Sequence, residues 1–441
     1  MFVIFGAGPV GLAAAAILAK HGHAVDVYEA LAEIPRGIES SYPIGINPRA
    51  LKCLETIDPE LKKDALSRGM LIDAWDIYGG ESRVAHLESK VVHGTSRGDI
   101  NALLDSYVSR IGKVTIHFGH RITSLESSIA TFSNGLQIDL TGKRIIGCDG
   151  VNSLIRQSMK SSTAKLTPWT KRFRVLFSPP ADGLRSDLDP AVHYIINGVY
   201  CATVKDENGL VFWSCVLGVG SDLSQEDQNL LTSNDPSPEN ITALRGYITR
   251  TCPKCLSLFP DNSDFEKFFG RRLFGGSVVE VSSLNEGEEI LLMGDACHSV
   301  LPPTGEGINS GLEDVSLLNL LLADDCNSKT LFADFNSRRI KDVQALGRIA
   351  VYLNENLVMK GPEAASRLGF TIGQAIGKSM CIYGPGYEDL TFGPEAVEMR
   401  PYGEIVDMWE RRKKILLPCC RCCCYPCFPS WWCTCCKGYC I

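Results

Sequence analysis

Residues 1–30 read MFVIFGAGPVGLAAAAILAKHGHAVDVYEA, and this stretch decides the fold. An apolar strand leads into Gly6-x-Gly8-x-x-Gly11, an alanine-rich helix follows, and a second strand ends at Glu29. Glycines at this spacing permit a tight turn, a close approach of the backbone to a pyrophosphate and close helix packing, while the helix N-terminus faces the negative charge. The stretch therefore predicts a βαβ unit that binds a dinucleotide.

Glu29 narrows the choice of dinucleotide. A carboxylate after the second strand accepts hydrogen bonds from the ribose hydroxyls of an adenosine and disfavours a 2′-phosphate. The site is therefore predicted to bind FAD or NAD rather than NADP.

Two later stretches also pass from a strand through a turn into a helix. Residues 144–159, RIIGCDGVNSLIRQSM, carry Asp149 in such a turn. Residues 289–322, EILLMGDACHSVLPPTGEGINSGLEDVSLLNLLL, carry Gly294 and Asp295 before a Pro/Gly loop and a long amphipathic helix. Backbone donors and an aspartate can meet a ligand at both places, although each stretch alone is compatible with an ordinary turn.

Length and charge exclude some classes of protein. A chain of 441 residues is long enough for two packed domains. The formal net charge of −7 argues against nucleic acid as a partner. The first residues already form a predicted strand, which leaves no room for a secretory signal. The scattered cysteines before residue 419 suit buried thiols in a reducing compartment.

In this order and spacing, the three stretches resemble the fingerprints of the single-component FAD-dependent aromatic hydroxylases, the group A flavoprotein monooxygenases. The resemblance spans about residues 1–350. Within that family, VDVYEA, SYPIGINPRALKCL, GTSRGDINALL and GINSGLEDV look most like segments of kynurenine 3-monooxygenase and its relatives, whereas VLPPTG is closer to p-hydroxybenzoate hydroxylase.

The resemblance implies an α/β fold like that of p-hydroxybenzoate hydroxylase, in which a Rossmann-type FAD-binding domain carries an inserted β-sheet substrate domain and C-terminal helices. The expected segments are the first part of the FAD-binding domain (1–164, with a substrate-side strand pair at about 71–92), the substrate domain (165–288), the return of the FAD-binding domain (289–330), the C-terminal helices (331–410) and a basic, cysteine-rich tail (411–441).

The resemblance also assigns residues to a tightly bound FAD. The implied cofactor-binding set is Gly6, Gly8, Gly11, Glu29, Arg97, Asp149, Gly294, Asp295, Gly307, Ile308 and Asn309. Amides at the start of the helix after residue 306 can stabilise negative charge on the reduced flavin. The sequence has no second GxGxxG to hold a nicotinamide nucleotide, but the resemblance implies that NADPH or NADH binds transiently in a groove between the two domains.

The loop that lies along the flavin ring in this family supplies the predicted catalytic residues Pro302, Gly305 and Glu306. Glu306 replaces the glutamine that is usual in the family. Its carboxylate can repel an anionic substrate or accept a proton, but a solvated charge in the first turn of a helix explains it equally well.

Two positions bear on the substrate. By the resemblance, kynurenine 3-monooxygenase holds the carboxylate of its substrate with an arginine and a tyrosine, and Trp75 and Val91 stand at those positions here. A carboxylate without a charged partner in a half-buried pocket is strongly disfavoured. Kynurenine is therefore not the expected substrate.

Three further residues, Cys252, Cys255 and His298, belong to types that often have a chemical role, but they are interpreted here as structural. Cys252-x-x-Cys255 has no second ligand pair nearby in the sequence, so thiols are favoured over a metal site and no metal is expected. His298 is interpreted as a packed, hydrogen-bonded histidine, because oxygen transfer by a flavin hydroperoxide needs no protein nucleophile.

The leading hypothesis is an NAD(P)H- and O₂-dependent FAD monooxygenase that hydroxylates an aromatic or lipid-soluble small molecule. One alternative is a flavin oxidase or reductase of the same fold that transfers no oxygen, because a fold does not fix a reaction. Another is a non-catalytic flavoprotein tethered to a membrane.

The tail predicts an anchor on the cytoplasmic face of a membrane. RRKK (411–414) precedes ten cysteines, prolines interrupt the apolar run, and aromatic residues lie among the cysteines. This composition favours S-palmitoylation over disulfides, a membrane-spanning helix or prenylation, while a metallothionein-like cluster stays a minor alternative. The predicted acylation sites are Cys419, Cys420, Cys422, Cys423 and Cys424.

Overall fold

The structure is a computed structural model that describes residues 1–182, 186–206, 208–324, 329–356 and 390–411. The cysteines predicted to be acylated lie outside the described residues.

Twenty strands and eleven labelled helices are described within these ranges. The strands are β1 (Phe2–Phe5), β2 (Val25–Tyr28), β3 (Pro43–Ile46), β4 (Met70–Leu71), β5 (Ala74–Gly79), β6 (Ser82–Glu88), β7 (His93–Ser96), β8 (Val114–His117), β9 (Ile122–Glu126), β10 (Ile129–Phe132), β11 (Gln137–Asp139), β12 (Arg144–Gly147), β13 (Ala164–Pro168), β14 (Arg172–Pro180), β15 (Val192–Ile196), β16 (Val199–Lys205), β17 (Val211–Val219), β18 (Ser277–Val281), β19 (Asn285–Glu286) and β20 (Ile290–Leu292). The helices are α1 (Pro9–Lys20), α2 (Pro48–Ile57), α3 (Pro59–Arg68), α4 (Arg97–Val108), α5 (Leu154–Ser158), α6 (Gln225–Thr232), α7 (Pro238–Thr251), α8 (Asn262–Gly270), α9 (Asp295–His298), α10 (Gly307–Ala323) and α11 (Leu331–Asn356).

Shorter helical pieces complete the description. Four 3₁₀ turns cover Ile38–Ser40, Pro253–Leu258, Pro302–Thr304 and Pro394–Glu398. A last helix, called here the C-terminal helix, spans 402–411.

The first sheet has six strands in the order β19-β20-β12-β1-β2-β8. All neighbours are parallel except β19 and β20. Every residue of β1 is buried, as is usual for a parallel strand covered on both faces. α1 begins with Pro9 directly after this strand, and its alanines let it pack closely in the core. The predicted βαβ unit and α/β class are confirmed.

The second sheet has the order β14-β17-β16-β15-β5-β6. Its pairs are antiparallel except β15 with β5. The hairpin of β5 and β6, which lies in the first hundred residues of the chain, thus joins strands from 172–219. Helices α6, α7 and α8 cover one face of this sheet and enclose a separate apolar core.

A small sheet, with the order β3-β7-β4, packs against β16 of the second sheet. Asn47 caps α2 directly after β3, and Ser96 caps α4 directly after β7. These caps fix where both helices begin, and Arg97, the first residue of α4, lies beside Gly8. Among the described helices, none combines the length and the apolar sequence needed to cross a lipid bilayer.

Candidate active site

The glycine turn between β1 and α1 has no room for side chains. Gly6 has φ +100°, and a Cβ there would lie 2.3 Å from the carbonyl oxygen of Cys148. A Cβ on Gly11 would lie 2.0 Å from the carbonyl oxygen of Gly6. The backbone therefore stays bare where α1 begins at the carboxyl edge of the sheet, which is where such folds bind pyrophosphate.

Glu29 and Arg97 flank this turn. The Glu29 carboxylate accepts hydrogen bonds from the backbone N–H groups of Ala7 (2.7 Å) and Leu31 (2.8 Å). A guanidinium nitrogen of Arg97 lies 3.6 Å from the position that a Cβ on Gly8 would occupy. A negative group thus lies beside the glycine turn on one side and a positive group on the other, and their roles towards a cofactor stay predictions.

Asp149 lies against the same turn from the neighbouring strand. Its Cα would be 3.1 Å from a Cβ on Gly6. One carboxylate oxygen, Oδ2, accepts from the N–H groups of Leu154 (2.7 Å) and Ile155 (3.1 Å) at the start of α5. The other, Oδ1, is buried without a hydrogen-bond partner among the described residues. Burial raises the pKa of Asp149. An unused buried acceptor at this place suits a ligand hydroxyl.

The third stretch, residues 289–322, packs against the beginning of α1. Gly294 has φ +61°, and Cβ atoms on Gly294 and Gly311 would lie 3.0 and 2.6 Å from the side chain of Val10 in α1. Asp295 Oδ1 lies 4.0 Å from the position of a Cβ on Gly307, the first residue of α10. Ile308 and Asn309 follow in the same first turn. Three segments that are far apart in sequence therefore line one groove, and their donors and acceptors fit FAD.

Glu306 is fully buried, so its interpretation as a solvated helix charge is wrong. The Asn47 side-chain amide donates to its Oε1 (3.2 Å), and the Tyr402 hydroxyl donates to its Oε2. Burial raises the pKa of Glu306 to about 7, although the charge of Arg49 acts in the opposite direction. The carboxyl group at this edge of the site is thus poised to exchange a proton near neutral pH.

This pKa predicts a pH-dependent contribution to stability. The folded protein keeps the Glu306 proton up to a pH of about 7, while an unfolded carboxyl with the ordinary value of 4.5 has lost it. The stabilisation is therefore complete below pH 4.5 and disappears as the pH rises through 7. The free energy of unfolding of the native protein minus that of Glu306→Gln should therefore fall by about 3 kcal/mol between pH 4.5 and 7.

Chemical unfolding at several pH values measures the effect. Glu60→Gln, at an exposed acid of α3, serves as the control. The difference in free energy of unfolding between the native protein and this variant should not change with pH. If the difference for Glu306→Gln does not change with pH either, the pKa of Glu306 is not raised.

Asp314 is an important residue that the sequence analysis missed. Its carboxylate accepts from Gly294 N (2.8 Å), lies 2.6 Å from His298 Nε2 and accepts from Arg339 Nε (2.8 Å). Burial alone would raise the pKa of Asp314, but the charges of His298 and Arg339 lower it overall. This buried group holds Gly294 and α10 in register. His298 takes part as a packed histidine, as predicted.

The C-terminal part of the described chain closes over the loop at 302–307. The Phe392 ring lies 2.6 Å from the position of a Cβ on Gly305, which has φ +65°. Ser89 Oγ donates to the Phe392 carbonyl (2.8 Å), and Arg49 stacks on the Tyr402 ring at 4.2 Å. Pro302 starts the 3₁₀ turn of this loop. The two aromatic residues were not among the predicted site residues.

Trp75 belongs to an uncharged group on the second sheet. It hydrogen bonds to the Tyr200 hydroxyl, which lies 2.7 Å from His193 Nδ1, and its ring lies 5.5 Å from that of Phe392. Burial lowers the pKa of His193 to about 3, so the imidazole is neutral at physiological pH. Val91 lies half-buried just before β7. This face thus joins the loop through Phe392 and offers aromatic and neutral polar groups.

Residues 2–348 match the family described as "FAD binding domain". Kynurenine 3-monooxygenase of Myxococcus xanthus (strain DK1622) is 27% identical, with 80% of this chain and 77% of that protein covered. The Candida albicans (strain SC5314 / ATCC MYA-2876) enzyme is 26% identical over 94% of this chain and 92% of its own. The Sus scrofa enzyme is 25% identical over 79% and 74%.

Solved structures show the same fold. A mutant of 2-methyl-3-hydroxypyridine-5-carboxylic acid oxygenase superposes with a TM-score of 0.65 at 15% identity, covering 82% of this chain and 92% of that one. PqsL from Pseudomonas aeruginosa, a probable FAD-dependent monooxygenase, gives 0.61 at 17% identity, covering 81% and 96%. The predicted p-hydroxybenzoate hydroxylase-like fold is thereby confirmed.

The glycine turn, the two aspartates and the convergent helix N-termini define a flavoprotein of the aromatic hydroxylase type. The chain belongs to the FAD binding domain family and is related to the kynurenine 3-monooxygenases. The assignment of individual site residues and of domain boundaries stays a prediction.

Proposed function

We propose that this protein uses NADPH or NADH and O₂ to hydroxylate an aromatic or lipid-soluble small molecule, with FAD as its resident cofactor. The observation that carries the proposal is the convergence of Gly11, Asp149 and Asp295 on one groove beside the loop at 302–307. FAD supplies the redox chemistry when it is bound, and the protein supplies position and electrostatics.

The roles of the protein groups follow from their places. Arg97 and the amides after Gly6 would stabilise the pyrophosphate of bound FAD, and Asp149 and Asp295 would accept hydrogen bonds from its hydroxyls. Backbone N–H groups at the start of α10 would stabilise negative charge on the reduced flavin. Phe392 and Tyr402 exclude water from the loop, while Glu306 holds or accepts a proton there.

A turnover assay tests the proposal. The purified holoenzyme is screened with phenols, quinones and other aromatic compounds for faster oxidation of NADPH or NADH, with oxygen uptake measured in parallel. Incorporation of one oxygen atom from isotopically labelled dioxygen into a product supports hydroxylation. Flavin reduction and oxygen uptake without incorporation for every accelerating compound would instead indicate the oxidase or reductase alternative.

Kynurenine should be a poor ligand for this enzyme. The predicted carboxylate positions hold Trp75 and Val91, and the neighbouring His193 carries no charge at physiological pH. We expect no acceleration of flavin reduction by kynurenine, whereas the Myxococcus xanthus relative, assayed side by side, should respond. Formation of 3-hydroxykynurenine at a rate similar to that of the relative would refute the assignment.

We also propose that the tail attaches the enzyme to a membrane through the basic run 411–414 and palmitoylated cysteines. Each basic residue near an anionic leaflet contributes roughly 1 kcal/mol, and each buried acyl CH₂ contributes about 0.8 kcal/mol, so two acyl chains with the basic run anchor stably. Serine at all ten tail cysteines should move the protein into the soluble fraction of a eukaryotic cell. Unchanged membrane association of that variant, or a soluble native protein, argues against acylation.

A further inference from the structure

Four cysteines lie together in the core of the second sheet, remote in sequence from the flavin-binding segments. Cys201 on β16 is the register partner of Cys215 on β17. Cys252 directly follows α7, and Cys255 lies in the next 3₁₀ turn. All four are free and fully buried. Antiparallel strand pairing and the packing of the helices on the sheet thus bring two cysteine pairs to one place.

The sulfur atoms have a spacing that suits one ion. The Sγ atoms of Cys201, Cys215 and Cys255 lie within 4.8 Å of one another. Cys252 is outside this set of three, so its sulfur must move towards the others to complete a tetrahedron. In a tetrahedral zinc site, Zn–S bonds of about 2.3 Å place the sulfurs about 3.8 Å apart. For the first three sulfurs, a contraction of about 1 Å or less suffices.

The segment Cys252-Pro253-Lys254-Cys255 already has the bend of a metal-binding turn. The Cys255 N–H hydrogen bonds to the Cys252 carbonyl (2.9 Å). This bond closes a tight turn that keeps the two cysteines of the pair near each other, as pairs of zinc ligands in a Cys-x-x-Cys segment are.

The environment of these four cysteines favours a bound ion over four unrelated buried thiols. Buried single cysteines are common and act as small apolar residues. Here the sulfurs of Cys201, Cys215 and Cys255 lie close together, and all four cysteines belong to one apolar cluster that also includes Trp213, Leu244 and Phe259. A tetrahedral set of sulfur ligands is typical of zinc or iron–sulfur centres, and zinc needs no inorganic sulfide.

We propose that Cys201, Cys215, Cys252 and Cys255 bind one structural zinc ion. Four Zn–S bonds form, four S–H protons are released, and no electron is transferred. The ion ties β16 and β17 to the helical cover of the second sheet. No second ligand pair lies near Cys252 and Cys255 in the sequence, and for that reason no metal was expected; in the fold, β16 and β17 bring Cys201 and Cys215 to the same place.

The test uses the full chain with serine at its ten tail cysteines, so that the tail cannot contribute metal. Elemental analysis of the holoenzyme purified without chelator should give about one zinc per chain. The double variant Cys201→Ser/Cys215→Ser should contain at least tenfold less. Cys53→Ser, at an equally buried cysteine of α2, should keep the full amount.

A second measurement does not depend on how well the variants fold. Cells grown with cobalt in place of zinc should yield protein with intense thiolate-to-cobalt absorption and the visible bands of a tetrahedral site. Thiol titration of the same tail-serine chain after denaturation separates the other outcomes. Nine free thiols with neither zinc nor cobalt, or two thiols fewer because of a disulfide, would each overturn the proposal.

Discussion

Gly11→Ala is expected to give a protein that purifies without FAD. The new methyl group would lie 2.0 Å from the carbonyl oxygen of Gly6, and a backbone atom cannot turn aside as a flexible side chain does. Overpacking of this kind costs about 3 kcal/mol, which corresponds to roughly a 100-fold loss of flavin affinity. Flavin absorbance per chain and FAD titration of the variant measure the loss.

Gly246→Ala is the matched control, because a Cβ there has open space and a helix interior favours alanine over glycine. It should keep its flavin and gain slightly in stability. Asp295→Ala removes a predicted cofactor ligand without adding bulk and should also weaken FAD binding. If Gly11→Ala and Asp295→Ala both retain a full flavin spectrum, the cofactor does not occupy this groove.

Asp314→Ala should destabilise the fold by about 3 kcal/mol, because three buried donors lose their acceptor while Glu313 still pairs with Arg339. Arg339 loses its Nε acceptor, and His298 and Gly294 N each lose theirs. Chemical unfolding measures the change, and flavin content should fall with it, because Gly294 belongs to the predicted cofactor site. Asp64→Asn, at an exposed acid of α3, should change the free energy of unfolding by less than about 0.5 kcal/mol. A similarly small change for Asp314→Ala would mean that Glu313 and Asp342, which already pair with Arg339, compensate for the lost carboxylate.

Local sequence patterns were sufficient to predict the strand-turn-helix segments that form the first sheet and the glycine turn. The strand, the three glycines and Glu29 lie within thirty residues, and the backbone geometry of a tight turn leaves those positions little freedom. The second and third stretches could be recognised for the same reason, since each is a strand followed directly by a turn and a helix.

Long-range contacts explain what was missed. Asp314 occupies the apolar face of α10 between Leu312 and Val315, and an acid at such a position is a sign of a buried ion pair. Nothing in the sequence, however, identifies Arg339 as its partner. Phe392 and Tyr402 reach the loop from about ninety residues further along the chain, so no periodicity relates them to Glu306. Cys215 meets Cys255 through the same kind of tertiary packing.

The order of strands in the first sheet also sets the point during synthesis at which this sheet can finish folding. β1 is made first, but its neighbour β12 ends at Gly147 and the next strand, β20, ends at Leu292. The buried carboxyl of Glu306 acquires its tyrosine partner only when residue 402 has been made. Chains generally begin to fold from the N-terminus while they are still on the ribosome. In a nascent chain, β12 therefore lacks its neighbour β20 until residue 292 has been made, and Glu306 lacks Tyr402 for about a hundred residues more.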